Sequence, residues 1–371
     1  MSKQLKGRIV SSTGVKSGTI EFSDRILSIE EKQALNQEPY IFAGFIDVHV
    51  HGGGGGDTMD GIDGIKTMAK FHLQHGTTSI YPTTITNPWQ NIIKALNAIK
   101  EIKEEKLADL PAIMGAHLEG PFISPNRLGA QPAFTLEPNY LLTQEILELD
   151  VVRLLTLAPE IENAAETAED FAKAGLRVSI GHSVANYEEV QFVLDIVQEQ
   201  SGVSSFTHLY NAMGALQGRE PAIVGAAFAN IGSYAEIIFD THHVHPASFL
   251  SAYYAKQGKL FFITDAIRAT GLPEGKTELG GQEVIVKDGK AKLLDGTLAG
   301  SVLTLDQALR NGLEHNLPIH KLGNMLSTIP AEYMALKDRG QLKEGLRADI
   351  VIMDKDFNIL EVYVAGRKLV G

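Results

Sequence analysis

Two histidines separated by one residue close an apolar run, Phe45-Ile46-Asp47-Val48-His49-Val50-His51, and Gly52 to Gly56 follow at once. On a β-strand, residues i and i+2 point to the same face, so both imidazoles can converge on one point in space. A divalent cation is the simplest occupant of that point, because neutral imidazole is an ordinary ligand of zinc, iron or manganese. The glycines let the backbone turn sharply and leave room beside the ligands. A His-x-His pair on a solvated strand end is the bland alternative, and only the rest of the chain separates the two.

That remainder contains eight apolar, β-rich runs: Phe42 to Val48, Thr77 to Tyr81, Ala112 to Leu118, Val152 to Leu157, Arg177 to Ile180, Ser204 to Thr207, Ala235 to Phe239 and Leu260 to Ile263. Segments between them, such as Trp89 to Lys106, Asn163 to Lys173, Tyr187 to Gln200 and Pro246 to Gln257, have helical periodicity and composition. Eight β/α units in series predict an α/β fold, a (β/α)8 TIM-like barrel. Enzymes of that architecture keep their chemistry at the C-terminal ends of the strands. Here the run ends carry His49 and His51, Thr83 and Thr84, Glu119, Glu160, His182, His208, Asp240 and His243, and Asp265. Singly, each reads as a cap or a hydrogen-bond partner; accident does not explain so many at equivalent positions.

His49, His51, Glu119, His182, His208 and Asp265 together have the composition of a metal-assisted hydrolase. Imidazoles and a carboxylate fix the ion and leave a position for water, whose pKa falls towards neutrality there. A carboxylate that is not a tight ligand can then move protons. Asp265, in Phe262-Ile263-Thr264-Asp265-Ala266, suits that role, its alternative being the N-cap of the next helix.

At 371 residues the chain can bury a large domain and a smaller one. Its 33 basic and 45 acidic residues give a net charge of −12, which argues against nucleic acid or an anionic membrane as partner. Any anionic ligand then needs a local site. There is no cysteine, so disulfides and thiolate chemistry are excluded and a metal must be held by His, Asp and Glu. The start, Met1-Ser2-Lys3-Gln4-Leu5-Lys6, lacks the apolar core of a signal peptide, and no apolar run approaches about 18 residues, so a cytoplasmic location is expected. Both ends alternate in short β-like pieces, Gly7 to Ile29 and Ala348 to Val370. They predict a small β-sandwich domain from residues 1–41 and 342–371 beside a barrel of residues 42–341. Gln282 to Leu294 reads as a further β excursion with a hairpin turn at Asp288-Gly289. The glycine run has no Gly-Lys-Ser/Thr after it and is not a P-loop.

Six strings carry a resemblance: Gly44-Phe45-Ile46-Asp47-Val48-His49-Val50-His51-Gly52, His117-Leu118-Glu119-Gly120-Pro121-Phe122, Gly181-His182-Ser183, Thr207-His208-Leu209-Tyr210-Asn211-Ala212-Met213, Gly218-Arg219-Glu220-Pro221 and Thr264-Asp265-Ala266. Through them essentially the whole chain resembles the amidohydrolase superfamily and, within it, the N-acetylglucosamine-6-phosphate deacetylases. The His-x-His run is specific only to the superfamily; the second and fourth strings are narrower.

The resemblance implies hydrolysis of the acetamide of a phosphorylated amino sugar, N-acetyl-D-glucosamine 6-phosphate. It implies that Glu119, His182 and His208 hold the main ion and that Asp265 is the general acid/base. Asn211 and Ala212 would meet the substrate through their backbones, and His243 would contact the sugar phosphate. Arg219 would reach the phosphate of the neighbouring subunit of a homodimer, where a guanidinium grips phosphate with two parallel hydrogen bonds; its alternative is an ion pair with Glu220. Because His49 and His51 are present, a second ion bridged through Glu119 is expected, giving one or two zinc or iron ions per subunit. Many members carry a histidine twelve residues after that glutamate, where this chain has Gln131. A glutamine amide can donate to a developing oxyanion but cannot carry a positive charge.

The galactosamine isomer of the substrate is the nearest rival, and a barrel that has lost catalysis and serves as an interaction module is a remote one. His72 and His75 read as helix C-terminal residues, and His315 and His320 flank Pro318 away from the site. His242 and His245 bracket His243, and spacing alone does not show which of the three faces the pocket.

Overall fold

Each of the eight apolar runs contributes a strand to one parallel barrel. In the computed structural model, which describes residues 2–31 and 39–371, these strands are β1 (Phe45–Val50), β2 (Thr77–Thr84), β3 (Ala116–Glu119), β4 (Val152–Leu157), β5 (Arg177–Ile180), β6 (Val203–Phe206), β7 (Tyr234–Ile237) and β8 (Leu260–Phe262). They pair in chain order. The ring closes just beyond β8, where Asp265 N–H donates to His49 C=O and His51 N–H donates to Ala266 C=O, each at 2.9 Å. Closure thus runs through the segment that carries Asp265.

The helices α1 (Ile62–Gln74), α2 (Trp89–Glu105), α3 (Tyr140–Leu149), α4 (Ala164–Lys173), α5 (Tyr187–Glu199), α6 (Ala222–Ala229), α7 (Pro246–Ala255) and α8 (Leu305–Glu314) alternate with the strands. Their apolar residues recur at helical spacing, as Ile92, Ala95, Leu96, Ile99 and Ile102 do on the buried face of α2. Helix α5 starts with a capping box. Asn186 Oδ1 accepts from Glu189 N–H at 2.9 Å and Glu189 Oε2 accepts from Asn186 N–H at 2.8 Å, a pairing that contributes about 1 kcal/mol. Among the described residues no helix is long and apolar enough to cross a membrane.

The first run, Phe42 to Val48, is not one strand. Tyr40–Ala43 pairs in the terminal sheet and β1 starts at Phe45. The break falls at Gly44, where a Cβ would lie 2.1 Å from Thr78 Oγ1, so only glycine lets the chain pass from one sheet to the other there. The terminal sheet therefore extends as far as Ala43, past the expected boundary.

That sheet holds seven strands, in the order Arg367–Val370, Ile359–Val364, Ile350–Met353, Tyr40–Ala43, Lys3–Ser11, Gly14–Phe22, Ile26–Glu31. The sandwich is made by one continuous sheet that folds over itself. Phe22 and Tyr363 lie four strands apart, about 19 Å in a flat sheet, yet their rings meet edge to face at 5.2 Å. Ile9, Ile20, Ile26, Ile41, Ile350 and Ile352 fill the fold.

A three-stranded sheet, Gly275–Leu279, Gln282–Lys287 and Lys290–Leu293, follows β8, with Asp288 and Gly289 both at positive φ in the hairpin turn. Leu279, Val284 and Val286 pack against Ile85 and Ala130, so this sheet braces the loop that brings Gln131 to the barrel mouth.

One polar bridge joins α1 to α8. Asp306, in the first turn of α8, meets His75 Nδ1 at 3.1 Å, beyond the end of α1, and Arg310 Nη2 at 2.9 Å. Burial pushes the Asp306 carboxyl up, but His75 and Arg310 outweigh it and hold the group at about 2. A depressed folded-state value means that the stabilisation is complete above the unfolded value near 3.8 and is lost as pH falls towards 2. Asp306→Asn is expected to lower the unfolding free energy by about 2 kcal/mol at pH 7. Denaturant titration across the acid range should show this difference shrinking between about pH 4 and 2; a difference that stays constant there would assign the loss to packing.

Candidate metal centre and active site

The barrel brings the C-terminal strand ends together, and with them every predicted ligand. Glu119 is the last residue of β3, His49 lies on β1 with His51 just beyond it, and His182, His208 and Asp265 lie just beyond β5, β6 and β8. All six are buried. His182, His208 and Asp265 have φ values of +48°, +31° and +49°, so each strand ends in a left-handed residue that turns its side chain inward. Such backbone costs about 1–3 kcal/mol per residue and is characteristic of functional sites.

Three donor groups are present among the described residues: one of His49, His117 and Glu236 lies beneath the site, and two face the barrel mouth. In the first of these two, His208 Nε2 lies 3.0 Å from both His182 Nε2 and Glu119 Oε1, and His182 Nε2 lies 3.3 Å from the same oxygen. In the second, His51 Nε2 lies 3.3 Å from His49 Nε2 and 3.2 Å from Asp265 Oδ1, which is 3.5 Å from His49 Nε2. Tetrahedral ligation at about 2.0–2.1 Å separates donor atoms by about 3.3 Å, so both sets fit a divalent cation. Glu119 Oε2, turned away from the first set, is 3.1 Å from His51 Nε2. One carboxylate therefore faces both sets.

Negative charge dominates this centre. Burial pushes the Glu119 carboxyl up, but His49 and the hydrogen bonds from His182 and His208 hold it well below the usual carboxylate range. Burial presses His51 down, yet its bonds to Asp265 and Glu119 lift it to about 9. Asp265 is likewise pushed up by burial and held below its ordinary value by His49 and His51. It is a carboxylate at neutral pH, the form that accepts a proton.

A cavity of about 210 Å³ opens over the two sets, lined by His51, Glu119, Gln131, His182, Asn211, Ala212, His243 and Asp265. Gln131 does not stand free. Its amide NH₂ donates to Glu119 Oε2 and its carbonyl accepts from Thr86 N–H, both at 2.7 Å. Asn211 N–H is spent on His208 C=O at 3.0 Å and Ala212 C=O on Ser183 N–H at 3.1 Å, which leaves the Asn211 C=O and the Ala212 N–H of these two cavity-lining residues. Of the three neighbouring histidines, His243 lines the cavity, His242 is exposed and His245 caps α7. Asp240 receives His243 Nδ1–H at 2.7 Å and the His243 N–H at 2.8 Å. Burial lowers His243, but Asp240 more than compensates and favours the cation.

The remaining strand-end residues serve as supports. Thr83 C=O faces His51 Nδ1 at 3.2 Å, and Glu160 receives Ser183 Oγ–H at 2.6 Å and Val184 N–H at 2.8 Å, fixing the turn after His182. His72, fully buried and pushed down to about 4 by that burial, bonds to Gly52 C=O at 2.9 Å and so holds the glycine turn. A Cβ on Gly52 would lie 2.5 Å from Arg268 N, which explains one glycine of the five. His75 belongs to the Asp306 bridge, and His315 packs on Phe239. Arg219 is exposed, lies outside the cavity lining and has no ion-pair partner among the described residues, so the pair with Glu220 is not formed.

Sequence reasoning missed two residues beneath the site. Glu236 Oε2 lies 2.9 Å from His49 Nδ1, and His117 packs edge-on against the His49 ring at 4.5 Å. His117 Nε2 meets Thr156 Oγ1 at 2.8 Å, which joins a chain of hydroxyls through Thr207 to Ser179. A glutamate inside the apolar stretch Tyr234-Ala235-Glu236-Ile237 was the available signal.

Known proteins agree with this geometry. The amidohydrolase family model matches residues 40–369. An N-acetylglucosamine-6-phosphate deacetylase of Lysinibacillus sphaericus is 37% identical over 88% of this chain and 85% of its own. An N-acetylgalactosamine-6-phosphate deacetylase of Shewanella is also 37% identical, over 89% and 83%. Among solved structures, an N-acetyl-D-glucosamine-6-phosphate deacetylase of Mycobacterium smegmatis, an aspartate-to-alanine variant in complex with N-acetyl-D-glucosamine 6-phosphate, superposes with a TM-score of 0.92 at 28% identity and full coverage of both chains. By its barrel and the extent of these matches, the chain belongs to the amidohydrolase family.

Proposed function

We propose that the protein hydrolyses the acetamide of N-acetyl-D-glucosamine 6-phosphate, giving glucosamine 6-phosphate and acetate. The observation that carries this reading is the cavity itself, whose lining joins both donor sets and Asp265 to the Asp240-supported His243. Glu119, His182 and His208 would hold the main ion, and His49 and His51 a second, with zinc or iron suited to such nitrogen and oxygen donors. Bound there, the ion polarises the acetyl carbonyl and makes water more acidic.

The chain's own residues do the rest. Asp265 takes the proton of the water that attacks the acetyl carbon and returns it to the nitrogen as the C–N bond breaks, so that the amine leaves neutral. His243, whose cationic form Asp240 favours, offers an N–H to the phosphate, which an acidic protein needs a local site to hold. Gln131, already donating to Glu119, keeps one N–H to spare for the carbonyl oxygen. Arg219 would complete phosphate binding from the partner of a homodimer, a role to which its exposure and its lack of an ion pair among the described residues are suited.

The galactosamine isomer is a second reading, favoured by the equal identity of the two relatives. Measuring acetate release from both 6-phosphates and from their unphosphorylated parents tests both readings. The glucosamine 6-phosphate should have the highest kcat/KM; a higher value for the galactosamine isomer would transfer the assignment.

Asp265→Asn should lower kcat by at least about a hundredfold while elemental analysis still finds the ion held by Glu119, His182 and His208. Retention of more than about a tenth of kcat would mean that another group carries the proton.

Arg219→Ala should raise KM for the 6-phosphate and leave the slow turnover of the unphosphorylated sugar unchanged. Mixed with Asp265→Asn protein, it should recover activity in hybrid dimers. Absence of recovery after proven subunit exchange would refute action from the neighbouring subunit.

A further inference from the structure

We infer that Glu236 is a positioning residue that sets how tightly the His49 and His51 site takes its ion, acting through the ring nitrogen of His49 that faces away from that site. The inference rests on the two-ion reading above. Glu236 lies within β7, fully buried in the barrel, between Ala235 and Ile237. Its Oε2 is 2.9 Å from His49 Nδ1. A carboxylate accepts, so Nδ1 carries the hydrogen and the Nε2 lone pair is left to the cavity side, where His51 Nε2, Glu119 Oε1 and Asp265 Oδ1 lie 3.3, 3.4 and 3.5 Å away.

The same oxygen, Oε2, accepts the backbone N–H of His208 at 3.2 Å, and the Glu236 C=O accepts Leu209 N–H at 2.9 Å. Glu236 thus touches the ring of a ligand of one site and the main chain of a ligand of the other. Its second oxygen, Oε1, has no hydrogen-bond partner, and no lysine or arginine pairs with it among the described residues. A carboxylate buried for stability alone would have both oxygens satisfied and a cation beside it. Among the described residues Glu236 groups with the imidazoles of His49 and His117 and hydrogen-bonds only the first, so its charge bears on His49 and on whatever His49 binds. The charge of Glu236 should therefore be felt most by the ion that His49 holds, and much less by the ion of Glu119, His182 and His208, which Glu236 reaches only through an amide.

Titration of metal-free protein with Zn²⁺, followed by elemental analysis, tests this without reference to activity. Wild type should take two ions per chain. Glu236→Gln, which keeps the shape and removes the charge, should bind one ion as wild type does and the other about 10- to 100-fold more weakly. Glu236→Asp, which keeps the charge on a shorter arm, should fall between, and it carries the test if the Gln variant does not fold. His49→Ala combined with His51→Ala marks the one-ion endpoint. Equal weakening of both ions in the Gln variant would make Glu236 a general structural residue and overturn the inference, as would two ions bound with wild-type affinities. A wild type that saturates at one ion would instead overturn the two-ion reading on which the inference stands.

Discussion

The carboxylate of Glu119 is the interaction on which the barrel mouth depends. Oε1 faces His182, His208 and, at 3.4 Å, His49, while Oε2 faces His51 and Gln131. A buried carboxylate of this kind is tolerable only when positive charge or hydrogen-bond donors surround it. The surrounding imidazoles come from β1, β5 and β6, so satisfying one acid draws three strand ends to one point. Strand ends that would otherwise be independent loops become a single electrostatic unit, and the left-handed backbone at His182, His208 and Asp265 is the conformational cost of that convergence.

Support for this unit comes in layers. Asp240 holds His243, Glu160 holds the turn after His182, Thr83 holds His51, Arg127 C=O receives His182 Nδ1–H at 3.0 Å and Glu236 holds His49. In His49, His51, His182 and His243 the Nδ1 atom is tied to a carbonyl or carboxylate, whereas His208 Nδ1 has no partner among the described residues. Rings fixed in this way lose little freedom when a ligand arrives, which is the physical content of preorganisation. The hydroxyl chain of His117, Thr156, Thr207 and Ser179 lets the barrel interior be polar without leaving most of its donors stranded.

Much of this was legible in the chain. A parallel barrel reads as apolar runs alternating with amphipathic helices, and side chains within a few residues of a run's end share the barrel mouth; hence the convergence of His182, His208 and Asp265 could be expected from the sequence. What escaped depended on contacts across the barrel. Glu236 is meaningful only because β7 and β1 face each other through the interior. Gln131 was legible as a donor, but that its amide is engaged by Glu119 and Thr86 depends on a loop braced by a distant sheet. The split of the first run at Gly44 was hidden because apolar character continues through the break, and only the close approach of Thr78 forces it. Among His242, His243 and His245, the turn rather than the spacing chose the residue that lines the cavity, since Thr241 has a φ of +66°.

The order of strands in the terminal sheet also bears on how the molecule is made. Tyr40–Ala43 leaves the ribosome early, but the neighbour that covers one of its edges is Ile350–Met353, and the two strands beyond that one come last of all. At a synthesis rate of about 5–20 residues per second, the intervening stretch of roughly 300 residues takes on the order of 15–60 s to translate. For that interval the nascent chain carries an apolar strand with one unpaired edge, the kind of feature that recruits chaperones or neighbouring nascent chains. The barrel is translated within the same interval, so this sheet is completed only after the barrel has been made.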